Sequence, residues 1–489
     1  MKKALLILFL VPQICFGQDN ITLVLPVGQS MTVDNIVLTE SEKKIISYGY
    51  DGKIKIWDVS SGKLLKTLIG HESTKIHGLQ LINNENILVS YSKDNTIKVW
   101  DLKSGRIIHN IKGHEKGIKG LIITADEKRI ISYGKDGLIK IWNIESGKLI
   151  CTLPFLDNIN EVLLTQEEDR IIYYGDSTII IWDAGSKDII HVLKGHKRMI
   201  NGARLIKKES RLITYDSDGT IKVWDLDNGR LIHDIEAHNY RITRIRLSKD
   251  ETMLFSCSDE DSIIKSWNLN SGKMIHSFFD HDGFVYDIII TNNEDKMISY
   301  SPAHDDTIIR IWDIEKGTLL HKLSGHTSSI KGIYLNSNNE NLVSFSQDNT
   351  IKVWDVNDGT LSYDFHHNSR IDRVFLNKFD DRMISNSTDN IIRIWDIKTG
   401  IEIDSLTLHT NFIRGILITD DEKKLISYGD DRTIKIWNME SLKLAQDIRG
   451  SSLQIDGLKL NNDKSNIFSF HNDGAIKIWD IKRGSLLYN

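Results

Sequence analysis

All eleven tryptophans of this chain stand in one pattern, an alternating apolar run that ends in Trp followed by Asp or Asn: Trp57, Trp100, Trp142, Trp182, Trp224, Trp267, Trp312, Trp354, Trp395, Trp437 and Trp479. Successive members lie 40 to 45 residues apart from one end of the 489-residue chain to the other. So steady a period marks one supersecondary unit repeated, each copy burying its apolar face against the next. Inside one period, residues 114–147, three short apolar segments at 118–124, 129–134 and 138–144 are separated by turn residues, and a fourth follows at 148–153. Their alternation has the period of antiparallel strands, and no helical periodicity interrupts it. The fold class is therefore all-β. Nine copies place Gly five residues after Trp, where a tight strand-to-strand turn requires positive φ; Lys187 and Leu442 are the exceptions.

These residues resemble the WD-repeat β-propeller family over essentially the whole array. Its Gly-His and Trp-Asp signatures stand as Gly70-His71 with Trp100-Asp101, Gly113-His114 with Trp142-Asn143, and Gly325-His326 with Trp354-Asp355. The resemblance implies a β-propeller built from eleven four-stranded repeats packed radially around a channel. Propellers usually have roughly four to eight blades, and similar blades prefer similar inter-blade angles, so two propellers are favoured over one large ring. A seam is expected near residues 184–195 or 300–320. The segment 21–27 aligns with the fourth strands of other repeats and is expected to complete the last blade, whose own fourth strand is cut short at 485–489.

The first residues differ from the repeats. Lys2 and Lys3 precede an apolar run at 4–11, and Cys15-Phe16-Gly17 offers small residues before Gln18. This is the layout of a secretory signal peptide at 1–17, leaving 18–489 as the WD-repeat array and an exported protein, periplasmic or extracellular. No later segment is apolar enough to cross a membrane as a helix. Beyond the signal only Cys151 and Cys257 remain, too few for a disulfide framework or a zinc site. The 62 basic against 67 acidic residues give a formal charge of −5, which argues against nucleic acid as a partner.

An Asp stands six residues before every Trp, eight copies carry a hydroxyl four residues before that Asp, and eight carry a histidine in the preceding loop. Ser, His and Asp together invite a catalytic-triad reading. The set recurs around the whole array, however, and a nucleophile needs one exposed position beside an oxyanion hole. In the family resembled, the four side chains form a buried structural tetrad. Six repeats have it complete: His71, Ser90, Asp94 and Trp100; His114, Ser132, Asp136 and Trp142; His196, Thr214, Asp218 and Trp224; His326, Ser344, Asp348 and Trp354; His367, Ser385, Asp389 and Trp395; and His409, Ser427, Asp431 and Trp437. Ser256 and Ser299 stand in for the hydroxyl in the repeats of Trp267 and Trp312, and the repeat of Trp182 departs most, with Pro154-Phe155 in place of Gly-His. No catalytic residues are assigned.

A second histidine series lies nine residues after Trp, at His109, His191, His233, His276 and His321, one per blade and too dispersed to share a metal ion. Asp216-Ser217-Asp218-Gly219 resembles the start of a calcium loop but lacks the downstream acidic ligand. Neither metal nor cofactor is expected. Lys or Arg two residues before Trp is expected to lie along apolar surface with its charge in water.

A propeller does not specify an activity, so function is read from surface positions that do not repeat. Three residues past each histidine position the chain varies, and Met199, Arg241, Phe284, Arg370 and Phe412, with neighbouring Tyr240, have the aromatic, Met and Arg character of interface cores. The resemblance puts these loops on the rim where the family grips partners. The expected function is an exported, non-enzymatic scaffold binding protein or peptide partners through the rim. The alternative is a small-ligand receptor or enzyme using the channel, and a self-associating surface array is a third reading.

Overall fold

A computed structural model describes residues 33–483, except 62, 73, 155, 207–210, 259, 304–305, 450–453, 462–464 and 473–474. The expected signal peptide and the closing strand at 21–27 lie outside the described residues. Among the described residues each repeat is an antiparallel sheet of consecutive strands, ten of four strands and the last of three. They are numbered here as blades 1 to 11. Blade 5 is representative, with strands Ile200–Ile206, Arg211–Asp216, Thr220–Asp225 and Leu231–Glu236. No helix long and apolar enough to cross a membrane occurs among the described residues.

The residue after Trp is fixed by the turn it opens. Its Oδ1 accepts the backbone N–H three residues on, as in Asp58 from Ser61 at 2.7 Å, Asn143 from Ser146 at 2.7 Å and Asn268 from Ser271 at 2.8 Å. Only an oxygen is needed, so Asn serves as well as Asp. One residue beyond that donor the backbone is left-handed in every described copy, Gly or not, with φ +70° at Gly229 and +62° at Lys187.

The tryptophan ring does a second job across the gap between blades. Trp224 of blade 5 packs among Ile172, Ile179 and Ile181 of blade 4, and Trp354 of blade 8 among Ile298, Ile309 and Ile311 of blade 7. One Trp per interface accounts for one Trp per period. Burying so large a ring removes about 150–250 Å² from water, on the order of 4–6 kcal/mol of hydrophobic stabilisation.

The chain divides into two compact units, one comprising residues 1–118, 143–148 and 406–489 and the other 119–142 and 149–405. The first holds blades 1, 2, 10 and 11. There Trp57 of blade 1 packs with Phe468, Ile476 and Ile478 of blade 11, so the earliest and latest blades are neighbours. Lys459 Nζ donates to the Ile36 carbonyl across the same junction. The second unit holds blades 3 to 9. Its apolar clusters run from Leu193 to Ile200 across 184–195, and from Ile298 through Leu323 to Ile330 across 300–320. The borders between the units fall near 118, at either end of 143–148, and near 405.

Candidate functional site

The histidine loop of each repeat is tied to its blade by a buried polar chain. In blade 2, His71 Nδ1 lies 2.8 Å from Asp94 Oδ2 and Nε2 lies 2.8 Å from Ser90 Oγ, while Trp100 Nε1 donates to the same hydroxyl at 2.8 Å. Blade 8 repeats this with His326, Asp348, Ser344 and Trp354, and blade 10 with His409, Asp431, Ser427 and Trp437. The carboxylate takes the Nδ1 proton, which leaves Nε2 to accept the hydroxyl proton and the hydroxyl oxygen to accept from indole. Every hydroxyl is thus occupied on both sides and fully buried, which withholds it from any substrate. Burial pushes the Asp431 carboxyl up, but hydrogen bonds from His409, Thr410 and Thr433 outweigh it and hold the group down at about 2. Asp94 and Asp348 are held well below the usual carboxylate range in the same way.

Two repeats with irregular turns use Ser256 and Ser299 for the hydroxyl, with His238 and Asp261, and with His281 and Asp306. In blade 3, Trp142 Nε1 donates to Ser132 at 2.9 Å; His114 is buried, and the Asp136 carboxylate accepts the Leu138 N–H at 3.2 Å.

Two positions differ from the sequence expectation. The partner of His196 is Asp216, with Nδ1 to Oδ2 at 2.7 Å, and not Asp218. Asp216 ends the second strand and is buried, while Asp218 sits in the turn, where its Oδ1 lies 3.3 Å from Arg198 Nε. In this repeat Asp occupies both positions, and the one closer to the strand wins the histidine while Thr214 and Trp224 keep their places. In blade 9, His367 Nδ1 faces Ser387 Oγ at 3.1 Å and Arg393 Nη1 at 3.1 Å, and Asp389 is engaged by those two groups rather than by the ring. Arg393 replaces the Lys of most repeats, and its guanidinium reaches the gap between His and Asp. Ser385 and Trp395 remain joined as elsewhere. Burial and then the Arg393 charge lower His367 to about 4.

Repeats without the loop histidine are tied differently. In blade 4, Tyr173 of the second strand donates from its hydroxyl to the Pro154 carbonyl at 3.0 Å. In blade 11, His471, two residues after Ser469, is buried with Nε2 2.9 Å from that hydroxyl.

Several of the cations two residues before Trp are withdrawn from water, while Lys140, Lys265 and Lys477 are half-buried. Lys98, Lys222, Lys352 and Lys435 are all buried, and their ammonium groups meet Asn110, Asp234, Asp364 and Asp447 on the fourth strand of the same blade. The second histidine series links neighbouring blades. His191 Nε2 lies 3.0 Å from the Asp227 carbonyl and His276 Nε2 2.7 Å from the Glu315 carbonyl, both in the last turn of the next blade. The glycine of that turn lies directly under the imidazole, where an added Cβ would stand 2.3–2.5 Å from the ring. This clasp requires reading two repeats together, one contributing the ring and the next the glycine. Among the described residues no group of three or more His, Cys, Asp or Glu is arranged to hold a metal ion.

The proposed rim residues emerge at the surface. Met199, Tyr240 and Phe284 are 46%, 45% and 38% exposed, Arg241 and Arg370 are exposed, and Phe412 is half-buried. The Met199 carbonyl accepts from Ser217 N at 3.0 Å, and Arg370 Nη2 reaches Asp372 at 3.1 Å. The backbones are held, and the apolar side chains are left uncovered.

Residues 232–485 match the family model described as the NWD2 C-terminal beta-propeller, and residues 62–101, 105–143 and 187–225 match the WD domain, G-beta repeat. No curated protein matches the chain. Among solved structures, the crystal structure of the computationally designed Ika8 protein is 25% identical, covering 76% of this chain and 98% of that one, with a TM-score of 0.35.

Proposed function

The chain belongs to the NWD2 C-terminal β-propeller family, and we propose that it is a non-enzymatic scaffold that binds protein or peptide partners through the propeller rim. The reading is carried by one contrast. Side chains that recur from blade to blade are buried in tetrads and clasps, whereas Met199, Tyr240, Arg241, Phe284 and Arg370 stand exposed at positions whose residue varies among the blades. Large apolar and Arg side chains left uncovered on backbones held by hydrogen bonds suit partner recognition, since little order need be gained on binding.

Export belongs to the same proposal and rests on the composition of residues 1–17. Two propellers rather than one wide ring remain the proposed partition of the blades; averaged electron micrographs showing a single channel would overturn it. The rim assignment is tested with the full chain as bait in crosslinked affinity capture, beside a variant with Met199, Arg241, Phe284 and Arg370 changed to Ala. The expected result is a protein retained by the first bait and lost by the second, with both melting alike. The same material on both baits would sink the rim assignment.

A further inference from the structure

In the seven-blade unit, the first strands of blades 5 and 6 and the loops leading into them hold a charge pattern that neither tetrads nor clasps require. Residues 197–206 and 239–247 carry six cations, Lys197, Arg198, Arg204, Arg241, Arg244 and Arg246, and no acid, within a chain of net charge −5. Arg244 and Arg246 are both paired with Asp287 of blade 7, Arg246 Nη2 to Oδ1 at 2.9 Å, and Arg198 lies near Asp218. Lys197, Arg204 and Arg241 are exposed, and among the described residues none of the three has a carboxylate within ion-pair distance. Unpaired like charges repel one another and contribute nothing to folding.

These cations surround Tyr215. Its ring lies over Gly202, where an added Cβ would stand 2.3 Å from the hydroxyl oxygen. Burial raises the Tyr215 phenol, the Glu161 charge adds to that rise, and the charges of Arg204, Arg244 and Arg241 act against it. Aromatic surface adjoins them. The Arg244 guanidinium stands 5.4 Å over the ring of Tyr286, which is itself half-exposed, and Tyr240 leads into the first strand of blade 6 and Phe284 into that of blade 7.

We infer that this face docks an acidic peptide segment of a partner protein, its carboxylates against Arg204 and Arg241 and an apolar side chain against Tyr240 and Phe284. The inference rests on the scaffold reading and adds the partner's chemistry. Charge complementarity selects the acidic ligand, since Arg presents paired N–H donors matched to a carboxylate. A peptide is favoured over a long nucleic acid because Asp287 pairs with two of the cations and the chain as a whole is negative, which opposes an extended polyanion.

The test is fluorescence anisotropy of the full chain with a labelled peptide of Asp-Glu-Phe repeats, beside Lys-Arg-Phe and Ser-Gly-Phe repeats and a labelled oligothymidylate. The comparison protein carries Arg204→Gln and Arg241→Gln, both exposed changes whose folding is checked by thermal melting. The expected result is binding of the acidic peptide alone, weakened about tenfold or more in the variant and weakening with salt. Equal binding to the variant, preference for the neutral or basic peptide, binding of the oligonucleotide instead, or no binding would each overturn the inference. A partner still lost by the rim variant in affinity capture would show that the scaffold reading survives such a failure.

Discussion

Replacing Gly317 by Ala probes the clasp between blades 6 and 7. At φ +68° an L side chain occupies the left-handed region, at a cost of about 1–2 kcal/mol. Its Cβ would also stand 2.3 Å from His276 Cγ and 2.7 Å from His276 Cβ. Those atoms are close to the histidine backbone, so the ring must swing out and give up the 2.7 Å bond to the Glu315 carbonyl, a further loss of about 1 kcal/mol. Gly317→Ala should therefore lose about 2–3 kcal/mol and His276→Ala about 1 kcal/mol. In the double variant the ring clash is gone and only the 2.7 Å Cβ–Cβ contact is left to relax, so it should also lose only about 2–3 kcal/mol, short of the summed singles by about 1 kcal/mol. Native-state hydrogen exchange of the Thr318–Leu323 amides reads these losses as local opening free energies. Additivity to within about 0.3 kcal/mol would refute the clasp, since the ring would then not bear on the glycine.

Asp216→Asn should destabilise by about 2–4 kcal/mol because it leaves His196 facing a wrong donor in a buried site, whereas Asp218→Asn should change stability by less than about 0.5 kcal/mol; denaturation of both variants separates the two assignments. His367 has a folded pKa of about 4, below its unfolded value of about 6.5, so its contribution is complete above pH 6.5 or so and is lost as pH falls toward 4. That loss is about 3 kcal/mol, and His367→Gln should flatten the stability-against-pH curve across that window relative to the parent chain. Glu168 has φ +56°, and its carboxylate accepts the Ala125 N–H of the preceding blade at 2.9 Å. Glu168→Ala and Glu168→Gly both lose that cap, and the Gly variant should melt as the more stable by about 1 kcal/mol because it alone relieves the backbone.

The blade architecture was legible because its determinants are short-range and repeated. Trp, the Asx residue after it and the turn glycine lie within six residues of one another and recur at every period. The tetrads were legible down to the residue type, and the two differences arise where one repeat supplies competing groups: Asp216 beside Asp218, and Arg393 in place of Lys. Spacing alone cannot rank two carboxylates; their burial does. The clasps escaped because their partners belong to different repeats, about 36 residues apart. A signal was present nonetheless. Where an imidazole stands nine residues after Trp, the next repeat carries Gly in its last turn, and where Cys151 stands there instead, the next turn carries Lys187. The burial of Lys98, Lys222, Lys352 and Lys435 also escaped, because each is paired by a fourth-strand side chain that varies between Asp and Asn. Exposed positions such as those of Met199 and Arg241 vary among the repeats, and the fold places no packing demand on them.

Trp100, Trp224 and Trp354 are hydrogen-bonded to their own blades but seated in the one before, so the unit of sequence and the unit of packing are out of phase. Each period carries one plug and one socket and forms no complete junction by itself. Insertion or deletion of one whole period therefore leaves every remaining plug with a socket, whereas a cut inside a period strands one of each. An array built this way can lengthen by unequal recombination in steps of about 42 residues without any junction being redesigned. The near-identical runs Thr-Ile-Lys-Val-Trp-Asp at Thr96–Asp101, Thr220–Asp225 and Thr350–Asp355 are what such copying leaves behind.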